Sequence, residues 1–275
     1  TNEEQETAGE TDEELSVFSS EEVPEFNDTP DEAMAAAENV GIDLANVSGG
    51  VYTIISAGDY KFTCKKSPET SNRIVVDGTN TSEQDNINIY LDNVNIKTSA
   101  GSALQINNNV KATVTIYLTG TNNLITSAQS SAGLQKANGA QLIIDNSSNT
   151  TGELIAQSKF GAGIGGYSSG SSSNITISGG TVTATSTYGA GIGGGQGGTG
   201  SNITISGGSV TATSDLGAGI GGGQGKTGSN ITISGGTVTA TSDFGAGIGG
   251  GQGETGSDIT ISGGSVTATS DLGAG

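Results

Sequence analysis

From Gly161 onward the chain repeats itself every 28 residues. Copies begin at Gly161, Gly189, Gly217, Gly245 and Gly273, with no insertion or deletion between them. One copy, Gly189 to Leu216, reads GAGIGGGQGGTGSNITISGGSVTATSDL. A chain in which each unit meets a neighbour like itself folds as a stack of like units.

Each unit holds three short stretches that alternate apolar and polar residues: Ile203-Thr204-Ile205, Val210-Thr211-Ala212 and Ala218-Gly219-Ile220. Alternation with period two, punctuated by Gly-Gly and Ser-Asp, is the pattern of strands and turns. Ten of the 28 residues from Gly189 to Leu216 are Gly, and each would cost a helix about 1 kcal/mol. A lone triplet cannot bury its apolar side. If one unit makes one coil, Ile203 stacks on Ile231 and Ile259 at the ~4.8 Å spacing of paired strands, and every sheet is parallel. The expected fold is therefore all-β, a single-stranded parallel β-helix with 28-residue coils. The crossover preference points to the right-handed form, with a flat β-solenoid as the variant.

The formal net charge is −19, and it is unevenly spread. Residues 1–45 carry fifteen Asp or Glu and no Lys or Arg, whereas the remaining 230 carry thirteen acidic and nine basic residues. Arg73 is the sole Arg, so no basic patch favours nucleic acid or an anionic membrane surface. No apolar run reaches the 18 residues that a spanning helix needs. Cys64 stands alone, which excludes a disulfide framework and a Cys metal cluster within the chain. With no His, Ser-His-Asp and Cys-His chemistry are excluded as well.

In order, residues 1–28 read as an acidic disordered tail, too poor in apolar surface to offset chain entropy. Residues 29–48 read as a helical N-terminal cap. Thr29 is its N-cap, Pro30 its first helical residue and Glu32 completes a capping box before Ala-rich sequence. The helix is expected to end near Gly41, with Met34, Val40, Ile42 and Leu44 over the first coil, where it would cover an open sheet edge. Residues 49–160 read as irregular coils of the same helix, because Leu104, Leu134 and Ile164 recur 30 apart and Gly152–Gly161 aligns with Gly180–Gly189. Within them Lys61–Thr79 reads as a loop. Residues 161–275 are the regular coils. They stop in mid-motif, so further repeats C-terminal to residue 275 are expected.

The motifs ITISGGTVTATS (175–186) and GAGIGGGQGG (189–198), with IYLDNVNI (89–96) and VTIYLTGTNNL (114–124) before them, resemble repetitive secreted β-helix proteins of Gram-positive, often gut-dwelling, bacteria. These are commonly described as cell-surface proteins containing a carbohydrate-binding domain. The resemblance covers about residues 50–275. It implies a secreted or cell-surface location, an adhesin or stalk role, and a polysaccharide or host-surface glycan as partner.

Candidate ligand residues fall into three groups. The outward face of the second strand presents Thr183, Thr185, Thr211, Thr213, Thr239 and Thr241, a grid of hydroxyls and methyls about 5 Å apart between coils. Such a grid also resembles an ice-binding surface, although Thr is simply a good exposed strand residue. Tyr167, in a Gly/Ser loop, is the candidate exposed aromatic for sugar stacking. Asp215, Asp243 and Asp271 share one repeat position and form either a row of Ca²⁺ ligands or, the favoured alternative, turn residues bonding their own backbone. Otherwise no cofactor is expected. The leading expectation is a non-enzymatic extracellular β-helix, a cell-surface stalk or adhesin module, with polysaccharide binding along a polar sheet face as an added capacity. The first alternative is a β-helix lyase or glycosidase whose site lies in coils 51–160, and the second is an ice-binding protein.

Overall fold

The structure, a computed structural model, describes residues 41–146 and 151–273. The acidic segment 1–28, and the part of the expected cap before Gly41, lie outside the described residues.

The described chain is all-β, about 8 turns of a parallel β-helix of the right-handed type. Most coils contribute one strand to each of three sheets; the first two contribute none to sheet III and the last, among the described residues, none to sheet II. Sheet I has nine strands, starting with Ile42–Asp43 and Gly58–Thr63 and ending at Gly256–Ile261. Sheet II has eight, from Val51–Ser56 to Ile248–Gly249, and sheet III has seven, from Asn95–Thr98 to Ser265–Ser270. Every strand pair is parallel, and each strand joins its counterparts in the coils before and after.

The core is a set of side-chain columns running along the axis. One column in sheet I is Ile89, Ile116, Ile144, Ile177, Ile205, Ile233 and Ile261. Sheet II stacks Ile74, Leu104, Leu134, Ile164, Ile192, Ile220 and Ile248. Sheet III stacks Leu154, Val182, Val210 and Val238 beside Ala156, Ala184, Ala212 and Ala240. These residues are buried, except where the last coil has no neighbour: Ile259 is 39% and Ile261 52% exposed. Polar residues between them face outward, as the period-two pattern requires.

One column is broken by a polar residue. Asn122 pairs with Leu154 and is fully buried. Its Oδ1 accepts from Val94 N–H at 2.9 Å, and its Nδ2 donates to Thr119 O and Glu153 O at 3.1 Å. The amide thus bonds backbone of the coils on both sides, which is how a buried polar group avoids a desolvation penalty.

The first coils begin just past the expected end of the cap helix and depart from one expectation, the Lys61–Thr79 loop. Ile42–Asp43 is a short strand paired with Phe62–Thr63, followed by a 3₁₀ turn over Leu44–Asn46, with Leu44 buried. The Lys61–Thr79 stretch is not one loop. Gly58–Thr63 and Arg73–Asn80 are strands, so only residues 64–72 connect them. The Pro and the charged residues of this stretch suggest a loop, but the Ile74-Val75-Val76 run decides the structure, and its alternate members Ile74 and Val76 are buried.

Candidate functional site

The threonine face lies on sheet III. Thr183, Thr211 and Thr239 form one outward row in register, and Thr185, Thr213 and Thr241 form the next. Thr211 is exposed and the other five are half-buried, each flanked by neighbours of its own row. Towards the N-terminus the same rows become Ile155 and Gln157, then Asn123 and Ile125. The hydroxyl grid is therefore a flat property of the regular coils.

Asp215, Asp243 and Asp271 sit just past the sheet III strands, and the three residues are exposed. Backbone bonds carry the coil pairing through this corner: Asp243 N–H donates to Ser214 O at 3.3 Å, and Phe244 N–H to Asp215 O at 2.9 Å. Partial burial, and then the charge of Asp243, push the Asp215 carboxyl above its usual range, while the Thr187 hydroxyl opposes them. Among the described residues, no three His, Cys, Asp or Glu side chains converge as a metal cage.

Most other repeated polar residues stack on their own kind. Gln196 donates to Gln224, and Gln224 to Gln252, at 3.1 Å each; Asn202 donates to Asn174 at 3.1 Å. The asparagines also take left-handed φ values of 50–58°, which Asn tolerates better than most residues. Two aromatic pairs stack in the same way. Phe160 and Tyr188 lie 5.0 Å apart at 3°, and Tyr90 and Tyr117 lie 4.9 Å apart at 19°. Within each pair, each ring covers one face of the other.

Tyr167 stands apart from these ladders. It follows the Ile164–Gly165 strand of sheet II, in the row that later coils fill with Gly195, Gly223 and Gly251. A Cβ at Gly195 would lie 1.9 Å from Tyr167 O, so the regular stack has no room for a side chain there. The preceding coil is irregular and leaves that room. The ring lies against Gly170, where an added Cβ would meet three ring atoms at 2.6–3.0 Å, and the residue is 37% exposed.

Beside it the outer face of sheet II forms a concavity of about 300 Å³ lined by Gln105, Asn107, Asn108, Asn109, Gln135 and Tyr167. Gln105 and Gln135 are outward neighbours in register, and Gln135 pairs onward with Gly165. In the regular coils the Gly165 row continues as Gly193 and Gly221, with φ of 135–136°, and a Cβ would lie 2.0 Å from the carbonyl oxygen of the next coil. Only the irregular coils, with extended backbone there, carry side chains at this position.

The amides are held by a network. Arg73 Nη2 donates to Gln105 Oε1 at 3.1 Å, and its Nε and Nη1 donate to the carbonyls of Ser102 and Ala100. Gln105 donates to Asn107 Oδ1 at 2.8 Å. Asn107 and Asn109 both donate to Asp77, at 3.3 and 3.0 Å, and Gly78 N–H donates to Asn109 Oδ1 at 3.1 Å. Ser102 Oγ donates to Gln135 Oε1 at 2.7 Å and accepts from Ala132 N–H. The Thr79 hydroxyl and the Asn109 amide, together with Thr79 N–H and Asn107, hold the Asp77 carboxyl below the usual carboxylate range. Asp77 is therefore an anion and not a proton donor at neutral pH.

The Beta helix repeat family model matches residues 175–196, 203–224, 231–252 and 259–275, each segment running from a sheet I strand towards the glycine-rich turn of the following coil. This is a repetitive β-helix protein. No curated protein and no solved structure matches the chain. All six threonines of the outward grid fall within the first three matched segments. The tyrosine–amide concavity lies before the first of them. Of the sequence-derived candidates only Tyr167 is in it. The amides gave one signal in the sequence: Gln105 and Gln135 follow Leu104 and Leu134, the pair recognisable by its 30-residue spacing.

Proposed function

We propose that this chain is a non-catalytic module that works outside the cell or on its surface, a stalk that also binds polysaccharide. The observation that carries the reading is the concavity on sheet II, where an accessible aromatic ring adjoins four fixed, uncharged amides. Sugars present just such mixed surfaces, hydroxyls at the edge and C–H groups on the face, and sites of this kind combine a flat ring with a few convergent polar groups. The volume suits a single sugar residue of a polymer.

A lyase or glycosidase finds less support in the same place. Hydrolysis needs two carboxyl groups flanking the bond, and the lining contains none. Asp77 behind it is a single anion already occupied by donors. Arg73 is turned into the protein by its three acceptors.

The test is retention of the full chain on insoluble polysaccharides, with Tyr167→Ala as the paired variant. Retention is expected for the wild type and a loss of about tenfold or more for the variant, the order of one aromatic contact. Release of soluble sugar or of unsaturated product would overturn the non-catalytic reading, and retention indifferent to Tyr167 would remove the site.

A further inference from the structure

The hydrogen-bonding state of the four amides narrows the ligand. Each amide offers one oxygen and two N–H protons. The orientations follow from partners with only one chemical option. Arg73 and Gly78 N–H can only donate, so Gln105 and Asn109 turn their oxygens toward them. An ionised Asp77 can only accept, so Asn107 and Asn109 turn their nitrogens toward it. The Asn107 oxygen takes the remaining Gln105 donor. The Ser102 hydroxyl, accepting from Ala132 N–H, has its proton left for the Gln135 oxygen. All four oxygens are thereby engaged within the protein. Among the described residues, Gln105, Asn107 and Asn109 each keep one N–H without a partner and Gln135 keeps two.

The four held amides therefore present donors beside an aromatic ring, and a ligand matched to them brings acceptors; Asn108, the fifth lining amide, is exposed, makes no side-chain hydrogen bond among the described residues and can turn either way. It offers no unengaged cation, since Arg73 is spent on three oxygens. Asp77 stands directly behind two of the amides, and its charge opposes a carboxylate or sulfate at the same place. An uncharged carbonyl next to a small apolar group meets both conditions.

We propose that the concavity on sheet II recognises the acetamido group of an N-acetylated sugar residue, its carbonyl oxygen accepting from the amides of Gln105 and Gln135 and its methyl and ring C–H groups lying on Tyr167. This rests on the polysaccharide-binding reading above and names the chemistry of the same site. The fixed network supplies the selectivity. A hydroxyl in place of the acetamido group can accept as well, but its oxygen lies two bonds nearer the sugar ring and it brings no methyl, so it cannot reach the fixed donors and cover Tyr167 together, whereas flexible amides would re-form around either ligand.

The experiment is calorimetric titration of the full chain with three soluble oligomers of equal length: β-linked N-acetylglucosamine, β-linked glucose and a uronate oligomer. The titrations are repeated with Tyr167→Ala and Gln135→Ala. The N-acetylated oligomer is expected to bind the wild type about tenfold or more tightly than the glucose oligomer, the scale of one hydrogen-bonded group lost. Both variants should lose that preference while melting as the wild type does. If the glucose or uronate oligomer binds as tightly, and still depends on Tyr167, the acetamido assignment is overturned and the polysaccharide reading stands. If no oligomer binds while the chain is retained on insoluble polysaccharide, the assignment falls and another face holds the polymer. If neither occurs, both fall. Gln135→Ala is the less intrusive variant, because its side chain is half-exposed.

Discussion

At the residue scale, Lys136 carries the clearest pH signature. It is fully buried, stands in register with Ile106, and donates to the carbonyls of Ala137, at 2.8 Å, and Ser173. Burial lowers its pKa from 10.5 to about 8. Between those values the unfolded chain holds a proton that the fold has given up, so stability rises with pH from about 8 to 10.5. The span is worth about 3 kcal/mol. Lys136→Met removes the ammonium and leaves two carbonyls without a donor, at about 1–3 kcal/mol each. Thermal melts from pH 7 to 10 should therefore show the variant as stable as the wild type, or less so, at pH 7, and falling progressively behind as the wild type gains. Equal pH slopes for the two proteins would refute this account of Lys136.

The aspartate row makes a weaker statement at the same scale. Asp243 raises the Asp215 carboxyl by repulsion, after the larger effect of burial. Both side chains are exposed, so solvent screens the pair and its cost is about a few tenths of a kcal/mol at most. Asp243→Asn should raise Tm slightly at pH 7 and leave it unchanged at pH 3. A melt with and without chelator separates this from calcium. If a Ca²⁺ ion bridges the row, chelator lowers Tm of the wild type and the variant loses that response. If Asp215 and Asp243 act as turn residues, chelator changes neither.

At the element scale, the turn from sheet II is dictated by backbone approach. Gly193 has φ of 135°, and a Cβ would lie 2.0 Å from Gly221 O, a backbone atom that cannot swing aside. Gly193→Ala should cost about 3 kcal/mol or more in urea unfolding, combining left-handed strain with displacement of the next coil. Gly225 also has positive φ, 70°, but nothing lies within 4 Å of its added Cβ. Gly225→Ala should cost about 1 kcal/mol, from the strain alone. Equal costs for the two would show that coil contact is not what demands glycine.

Whether an element can be read from sequence depends on how regularly its coil repeats. Ile203, Ile231 and Ile259 are legible as a column, because a fixed 28-residue interval and period-two alternation leave one way to bury them. Leu104, Leu134 and Ile164 are legible at 30 by the same reasoning. The strand Arg73–Asn80 is not, since Asp77, Gly78 and Thr79 dilute its pattern and its counterpart in the next coil is the three-residue Leu104–Ile106. The amide site is hidden for another reason. Gln105, Asn109 and Asp77 come together only through the stacking of neighbouring coils, and coil lengths in this half vary. Ile116 follows Ile89 in its column by 27 positions, while Ile177 follows Ile144 by 33. Tyr167 is visible in the sequence only as an exposed aromatic. That it replaces a glycine excluded from side chains in every later coil is a fact of packing.

At the scale of the whole molecule, each coil contacts chiefly the coils before and after it, so stability approximates a sum of units and interfaces. Removing residues 217–244, one full unit, joins Leu216 to Gly245 and keeps every column and ladder in register. Circular dichroism and a single cooperative melt should be retained. Removing residues 217–243 displaces the following residues by one position and turns inward residues outward wherever the chain is paired. That variant should melt lower, or lose its cooperative transition. Indifference to the odd residue would mean that the columns do not set register.

The parallel pairing has a mechanical side as well. The hydrogen bonds that join one coil to the next run along the axis of the helix, since successive strands of each sheet belong to successive coils. A pull between the two ends therefore loads them one row at a time, as a zipper is opened, and not all together as when strands slide in shear. Each coil that yields exchanges a rise of about 4.8 Å for a full unit of extended chain, roughly 90 Å. A helix of this design lengthens about twentyfold per coil under tension. In the proposed role of a stalk it would cushion its load, coil by coil, before the chain itself is broken.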